Sequence, residues 1–306
     1  GSTDGSSDVV AKICLRYPKI VLKHQKNQGL SVARNTGLEA SCGDYVLFHD
    51  ADDELEENAV AKLVAVALRY PSDIVGGVFR RHTPKHQAVL SSFNRNEYQM
   101  DFRSDVVMAQ SYCLNFSSCN KIFRVEFLKK NELRFTPGLY MQDIEFWLKC
   151  MFAASSVSQT TTVVSNYYHY PDSQSQSRTP ARFESLFKLC DRISGFFERK
   201  ELQDLAFIGS YALMQGAFRF FVNWKLDEWK RGTGVEDLDR IAHVLRKIPE
   251  QHFVSFLKIN RGPTAPLLLL IREGDYEEAH RLKKTPYSGS IAWRSVIGNL
   301  NNARKI

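Results

Sequence analysis

Asp44-Tyr45-Val46-Leu47-Phe48-His49-Asp50-Ala51-Asp52-Asp53 is an apolar run that ends abruptly in three carboxylates. Tyr-Val-Leu-Phe consists of strand formers with no polar residue alternating among them, and it follows the turn signal Ser41-Cys42-Gly43. Such a run is expected to be a parallel strand buried on both faces. The acids then stand at its C-terminal end, where open α/β sheets bind their ligands. If the backbone stays extended for two more residues, Asp50 and Asp52 project to the same side. Two carboxylates on one side call for a cation, and hard oxygen ligands suit Mg2+ or Mn2+. The competing reading is a helix start, because acids after a strand often cap the next helix; Asp53, ahead of Glu54-Leu55-Glu56-Glu57, is assigned mainly to that capping role.

Outward from this stretch, helix and strand patterns alternate. Ser6 or Ser7 opens a helix with Val9, Val10, Ile13 and Cys14 on its apolar face, and Lys19–His24 reads as a short strand after Pro18. Gln25–Gly29 is a loop, and Leu30–Ala40 a helix that tolerates Gly37 at a cost of about 1 kcal/mol. A helix from about Glu56 to Arg69 follows the acidic strand, and Asp73–Phe79 is the next strand. The order implies a doubly wound α/β sheet. Ile144, Trp147, Leu148, Met151 and Phe152 fall at helical spacing, which puts Asp143 in the first turn of a helix. Thr160–Tyr170 reads as an aromatic-rich strand, and 171–178 as a polar loop. Beyond Pro180 the pattern is helical, with one stripe at Phe183, Leu186, Phe187, Cys190 and Ile193, a second at Leu205, Ile208, Leu213, Ala217 and Phe220, and a third at Leu238, Ile241, Leu245 and Ile248.

The 306-residue chain is long enough for one large domain or for a domain with an appendage. Its net charge of +7 and pI near 9.0 suit an anionic partner. The charge is spread out, so nucleic acid is not the expected partner. The six cysteines form no C-x-x-C pair and read as buried, reduced thiols of a cytosolic protein. No signal peptide is visible, and the longest apolar stretch, Pro266–Ile271, is too short to span a bilayer.

Gly-Ser-Thr-Asp-Gly-Ser at 1–6, Asn27-x-Gly29-x-x-x-Ala33-Arg34-Asn35-x-Gly37 and Gly43-Asp44-Tyr45-Val46-x-Phe48-x-Asp50-x-Asp52-Asp53 resemble the successive motifs of family 2 glycosyltransferases, inverting enzymes of the GT-A fold. The resemblance continues through Asn120-Lys121-Ile122-Phe123, Gly138 and Gln142-Asp143. It implies a Rossmann-like GT-A domain at 1–178 and leaves 179–306 as a helical C-terminal appendage. It also implies a first strand and a nucleotide-facing loop ahead of Gly1, so that the sequence begins inside the domain.

The resemblance further implies a role for each candidate residue. A divalent ion, Mn2+ or Mg2+, is expected on Asp52 and Asp50 of a DXD motif, with His169 as a further candidate ligand and packing as its alternative reading. Arg34 and Asp4 are expected to face the nucleotide, Arg34 having a salt bridge to a strand-end acid as its alternative. Arg178 is a candidate to close onto the diphosphate. Asp143 is the expected general base, with plain helix-start stabilisation as the alternative, and Gln142 stands where the family usually has Glu. Asn120 and Lys121 are expected to be structural. The function implied is inverting transfer from a nucleotide-sugar, most plausibly a UDP-sugar, to a polysaccharide or glycolipid hydroxyl. The alternatives are a nucleotide-sugar-binding protein that has lost turnover and, from charge alone, a basic adaptor. Phe218–Lys225 with Arg281–Lys284 is a candidate contact with an anionic membrane at its inner face, against the reading of core aromatics and a solvated basic end.

Overall fold

A computed structural model describes residues 1–83, 87–90, 98–100, 116–168, 170, 177–259 and 264–284. The chain divides into two compact units, one of Gly1–Met108 with Ser117–Ser173 and one of Ala109–Phe116 with Gln174–Ile306.

In the first unit α1 (Ser6–Arg16) and α2 (Leu30–Ala40) precede β1 (Tyr45–Leu47), β2 (Glu54–Leu55), α3 (Ala59–Arg69) and β3 (Ile74–His82). Then come β4 (Gln87–Leu90), β5 (Tyr98–Met100), β6 (Lys121–Arg124), α4 (Val125–Lys130), α5 (Gln142–Ala153) and β7 (Val157–Tyr168). The sheet runs β1-β6-β3-β7-β2, with β4 on β3 and β5 on β7. It is mixed: β3 and β7 are parallel, whereas β6 is antiparallel to both β1 and β3 and β2 is antiparallel to β7.

This corrects the expectation for the acidic strand. β1 pairs antiparallel, Val46 opposite Phe123, and its three residues are only half-buried. An unbroken apolar run reports burial of neighbours and says nothing about strand direction. Lys19–His24 also departs from expectation, being irregular with Ile20 43% and Val21 72% exposed. No described strand pairs with it, and without a ladder its strand propensity has nothing to act on. Gly5, not Ser6 or Ser7, is the N-cap of α1, and no residue of that helix is buried.

One face of the sheet is covered by α3, whose Ala59, Leu63, Val66 and Ala67 pack on Val75, Ile122 and Val164. Side chains alternate along β6, so Lys121 and Phe123 face the opposite side. There Phe123 meets Phe146 of α5, and Lys121 meets Trp147 of the same helix.

The second unit is helical. α6 (Pro180–Phe197) is capped by Thr179, whose Oγ1 accepts from Arg182 N, and Pro180 stands in its first turn, where a missing N–H costs nothing. A 3-10 turn (Lys200–Leu205), α7 (Ala206–Ala212), a π-helical segment (Leu213–Phe218) and α8 (Arg219–Lys230) run on without a break. α9 (Val235–Lys247), α10 (Glu250–Ile259), α11 (Thr264–Glu273) and α12 (Tyr276–Lys284) complete it. Leu202–Lys230 is long and apolar enough to cross a membrane by length and composition. Its Ile208, Met214, Phe218, Phe221, Val222, Trp224 and Leu226 are nevertheless buried in the unit's own core.

The aromatic segment considered for membrane contact is therefore core. Lys225 is 5% exposed, paired with Glu228 and Asp237 and placed over the rings of Phe183 and Trp224. Lys283 pairs with Asp227, and Arg281 with Glu278.

Gly77 is the tightest point between β3 and β7: a Cβ there would lie 2.6 Å from Cγ2 and 2.7 Å from Cγ1 of the fully buried, β-branched Val164. Gly77→Ala is expected to lower stability by roughly 1–3 kcal/mol through overpacking, read as a lower urea midpoint with an unchanged m-value.

Candidate active site

The site grows from the end of β1. Phe48, one residue past the strand, is buried among Phe123, Phe135 and Phe146, with ring centroids 5.0 to 5.9 Å away. Phe135 stacks on Phe146 at 3.9 Å. Asp50 lies two residues beyond Phe48, and Asp143 lies one helical turn before Phe146, so this aromatic cluster brings the two acids to one place.

Between them sits Arg34 of α2, 8% exposed. Its Nη2 donates to Asp50 Oδ1 at 2.7 Å and its Nη1 to Asp143 Oδ1 at 2.8 Å. The guanidinium also lies over the Phe135 ring, 4.9 Å from its centroid. Asn35, next on the helix, clasps the Phe135 backbone through both amide atoms, donating to its carbonyl and accepting from its N–H. Burial works against the Arg34 charge, but the carboxylates of Asp143 and Asp50 outweigh it and move the pKa upward. The salt bridge that was the alternative reading of Arg34 is thus present, and it is double.

The strand does not stay extended past Asp50. A turn closes there, Asp53 N–H donating to Asp50 O at 3.2 Å. The result is that Asp53 joins Asp50, with Cys119, in one group whose ligand atoms lie within 4.8 Å of one another, while Asp52 is exposed and outside that group. Asp53 is not the helix cap expected of it. α3 begins at Ala59 with Asn58 in the left-handed N-cap conformation, and Glu54–Leu55 is strand β2. Asp53 Oδ1 instead accepts from the Tyr168 N–H on β7. Burial raises its pKa to about 6, with Asp52 and Asp50 adding to the rise against the Tyr168 hydrogen bond.

The donor set discriminates among metals. Cys119 is buried, and burial together with the Asp50 charge pushes its thiol well up, so it stands beside the acids protonated, as a donor to Asp50 and not as a thiolate. What remains is a pair of carboxylates carrying more negative charge than its surroundings relieve. That arrangement fits a hard divalent cation completed by waters or phosphate oxygens and does not fit a soft, thiolate-seeking one.

Asp143 is in the first turn of α5, entered through Met141 at φ 58°, a left-handed conformation uncommon for a side chain of this kind. Its Oδ1 also accepts from Ser118 Oγ at 2.5 Å. Among the described residues Oδ2 has no hydrogen-bond partner.

Asp4 is exposed, its Oδ1 taken by the N–H and hydroxyl of Ser6. Arg178, in the second unit, pairs with Asp227 at 3.5 Å. His169 lies outside the described residues. The residues that sequence reasoning missed are Asp53, Ser118 and Cys119. Ser117-Ser118-Cys119 carries no recognisable pattern, and its only flag was the neighbouring Asn120-Lys121. Arg80 pairs with Glu56, and His82 bonds Asn166 and stacks on Tyr168.

Residues 1–131 match the family model described as Glycosyl transferase family 2. The chain is 30% identical over 189 residues to an uncharacterized glycosyltransferase, YibD, of Escherichia coli (strain K12), which covers 58% of this chain and 53% of that protein. It is 25% identical over 248 residues to a putative glycosyltransferase, EpsH, of Bacillus subtilis (strain 168), covering 77% of this chain and 72% of that one. The chain thus spans about half the length of the first relative. Among solved structures, residues 1–349 of S. aureus TarS, crystallised with UDP-GlcNAc, superpose with a TM-score of 0.65 at 18% identity, covering 92% of this chain and 79% of that one.

Two outcomes follow from the electrostatics. Arg34→Met strands two carboxylates and is expected to cost roughly 3 kcal/mol, the low end for a broken buried pair because both acids keep some solvent, measured by urea unfolding. Asp53 binds its proton in the folded state up to about pH 6 and in the unfolded chain only to about pH 3.9. Its stabilising contribution is therefore complete below the unfolded value and lost as pH rises through the folded one. In EDTA, Asp53→Asn keeps an oxygen for Tyr168 and is expected to melt above the parent at pH 7.5, by about 1 kcal/mol after discounting for solvent. Differential scanning calorimetry should show that advantage shrinking toward pH 4.5.

Proposed function

Residues 1–131 belong to glycosyl transferase family 2 and the chain has the GT-A fold, and on that premise we propose that the protein transfers a sugar with inversion from a UDP-sugar to a hydroxyl of a glycan or lipid-linked acceptor. The observation that carries the proposal is the Arg34 bridge: the acid at the end of β1 and the acid at the start of α5 share one guanidinium, so a donor bound at Asp50 has Asp143 close to its reacting end.

Asp143 is the base. Arg34 and Ser118 hold its Oδ1, which leaves Oδ2 to take the acceptor proton as the hydroxyl oxygen attacks the anomeric carbon and the bond to the diphosphate breaks. Arg34 keeps that carboxylate oriented. Asp50 and Asp53, with Asp52 beside them, would hold Mn2+ or Mg2+, which when bound stabilises the negative charge on the departing diphosphate as a Lewis acid. The UDP-GlcNAc complex of the structural neighbour supports a UDP-linked donor. The acceptor is assigned only as a hydroxyl-bearing glycan or glycolipid, as the family's chemistry suggests.

Asp143→Asn tests the proposal. Transfer from a panel of UDP-sugars is expected to fall about 100- to 10,000-fold, with Mn2+-dependent UDP binding kept near the parent value in a calorimetric titration. Equal behaviour of the two proteins would mark a nucleotide-sugar-binding protein without turnover, and UDP binding indifferent to Mn2+ would remove the ion from the site.

A further inference from the structure

Lys121 is the largest unexplained charge in the first unit. It is 2% exposed, on the face of β6 that meets α5. A buried ammonium is costly unless its three donors are met. Here Nζ donates to Ser117 O at 2.5 Å and to Asn120 Oδ1 at 2.9 Å, and it lies 4.6 Å from the centre of the Trp147 ring. Two oxygens and an aromatic face meet it, while burial still pulls its pKa down to about 7 against the attraction of Asp143.

The partners are informative because they bracket one turn. Ser117 and Asn120 are its two ends, and between them Ser118 reaches Asp143 while Cys119 lies 3.6 Å from Arg34 Nη2. Asn120 is also fastened to β3, its Nδ2 donating to Gly77 O at 2.6 Å and its carbonyl accepting from Gly77 N–H at 2.9 Å. With Oδ1 facing an ammonium and Nδ2 facing a carbonyl, the Asn120 amide has one possible orientation. Cys119 N–H closes the turn onto Ser117 Oγ. The third partner, Trp147, is one turn along α5 from Asp143. Lys121 thus ties the turn that carries Ser118 to the helix that carries Asp143.

We propose that Lys121 is a positioning residue for the base: by clamping the Ser117–Asn120 turn against α5 it keeps the Ser118 hydroxyl on Asp143 Oδ1 and so leaves Oδ2 turned to the acceptor. This rests on the glycosyl-transfer reading for its kinetic consequence and on geometry alone for its structural one. Without the clamp Ser117 O and Asn120 Oδ1 lose their donor, the turn loosens, and Asp143 is held by Arg34 only.

The test is Lys121→Met, which keeps the length and apolar stem of the side chain and so fills the same space; the two acceptors it leaves without this donor lower the melting temperature modestly. The expected result is a melting temperature within a few degrees of the parent, donor KM and Mn2+-dependent UDP binding unchanged, and kcat lowered tenfold or more. Ser118→Ala should show a loss of the same kind. Added to Asp143→Asn, Lys121→Met should cause no further loss, because a residue that acts through the base has nothing left to act on. Amide hydrogen exchange supplies a readout independent of turnover: peptides covering 117–120 and 142–145 should exchange faster in Lys121→Met, with α3 unchanged. A variant that turns over within twofold of the parent, or whose 117–120 amides exchange at the parent rate, overturns the inference while leaving the role of Asp143 standing. A parent without transfer overturns the glycosyl-transfer reading, and the exchange experiment still decides the clamp.

Discussion

A single buried guanidinium holds the site together. Arg34 has three calls on it: Asp50 from the end of β1, Asp143 from the start of α5 and the face of Phe135 from the segment between. Each partner comes from a different part of the chain, and each would be unstable near the others without it, since two half-buried carboxylates repel. The cost of burying Arg34 is offset only because both forks of its planar head are occupied. The acids and the arginine are therefore mutually required, and the geometry of the candidate chemistry follows from that requirement.

Packing supplies the stiffness that charge alone lacks. Phe48, Phe123, Phe135 and Phe146 form one aromatic cluster beneath the bridge, with edge-to-face and stacked contacts drawn from the residue after β1, from β6, from the 133–136 segment and from α5. Such contacts have narrow geometric preferences, so the carboxylates above them inherit fixed positions. On the neighbouring part of the same face Lys121 does by hydrogen bonding what the rings do by contact, joining a polar turn to the same helix. The opposite face of the sheet, under α3, is aliphatic at its centre, with Tyr45 and Tyr70 packed against it. The division is physical: the side that must hold charges is built of rings and donors, and the centre of the side that need only exclude water is built of Leu, Ile, Val and Ala.

The left-handed residues mark where this construction is under local strain. Met141 adopts φ 58° immediately before Gln142 and Asp143, and Asn58 φ 61° at the entry to α3. At Met141 the unfavourable backbone is held by the packing of α5, which is buried along most of its length. A conformation of that kind at the root of the proposed base turns the first helical residues toward Arg34 without lengthening the loop before them.

Local chemistry by itself determined a good deal. The apolar spacing of Ile144, Trp147, Leu148 and Met151 placed Asp143 in the first turn of a helix, where the structure has it. Loop and helix signals bounded Leu30–Ala40 as observed, and the run from Tyr45 to Asp53 set acids at a strand end, because periodicity and turn residues are properties of neighbours along the chain. Tertiary structure alone decided the rest. It made the sheet mixed, since direction depends on which strand lies alongside; it left Lys19–His24 without a ladder; and it turned Asp53 toward Asp50 and Asp52 outward, because a turn ended the extension on which the alternation argument depended. Above all it joined Arg34 to Asp143, 109 residues apart, and Lys121 to the turn beside them. No local pattern encodes such contacts, for a charge shows its partner only when folding has removed the water that would otherwise serve both.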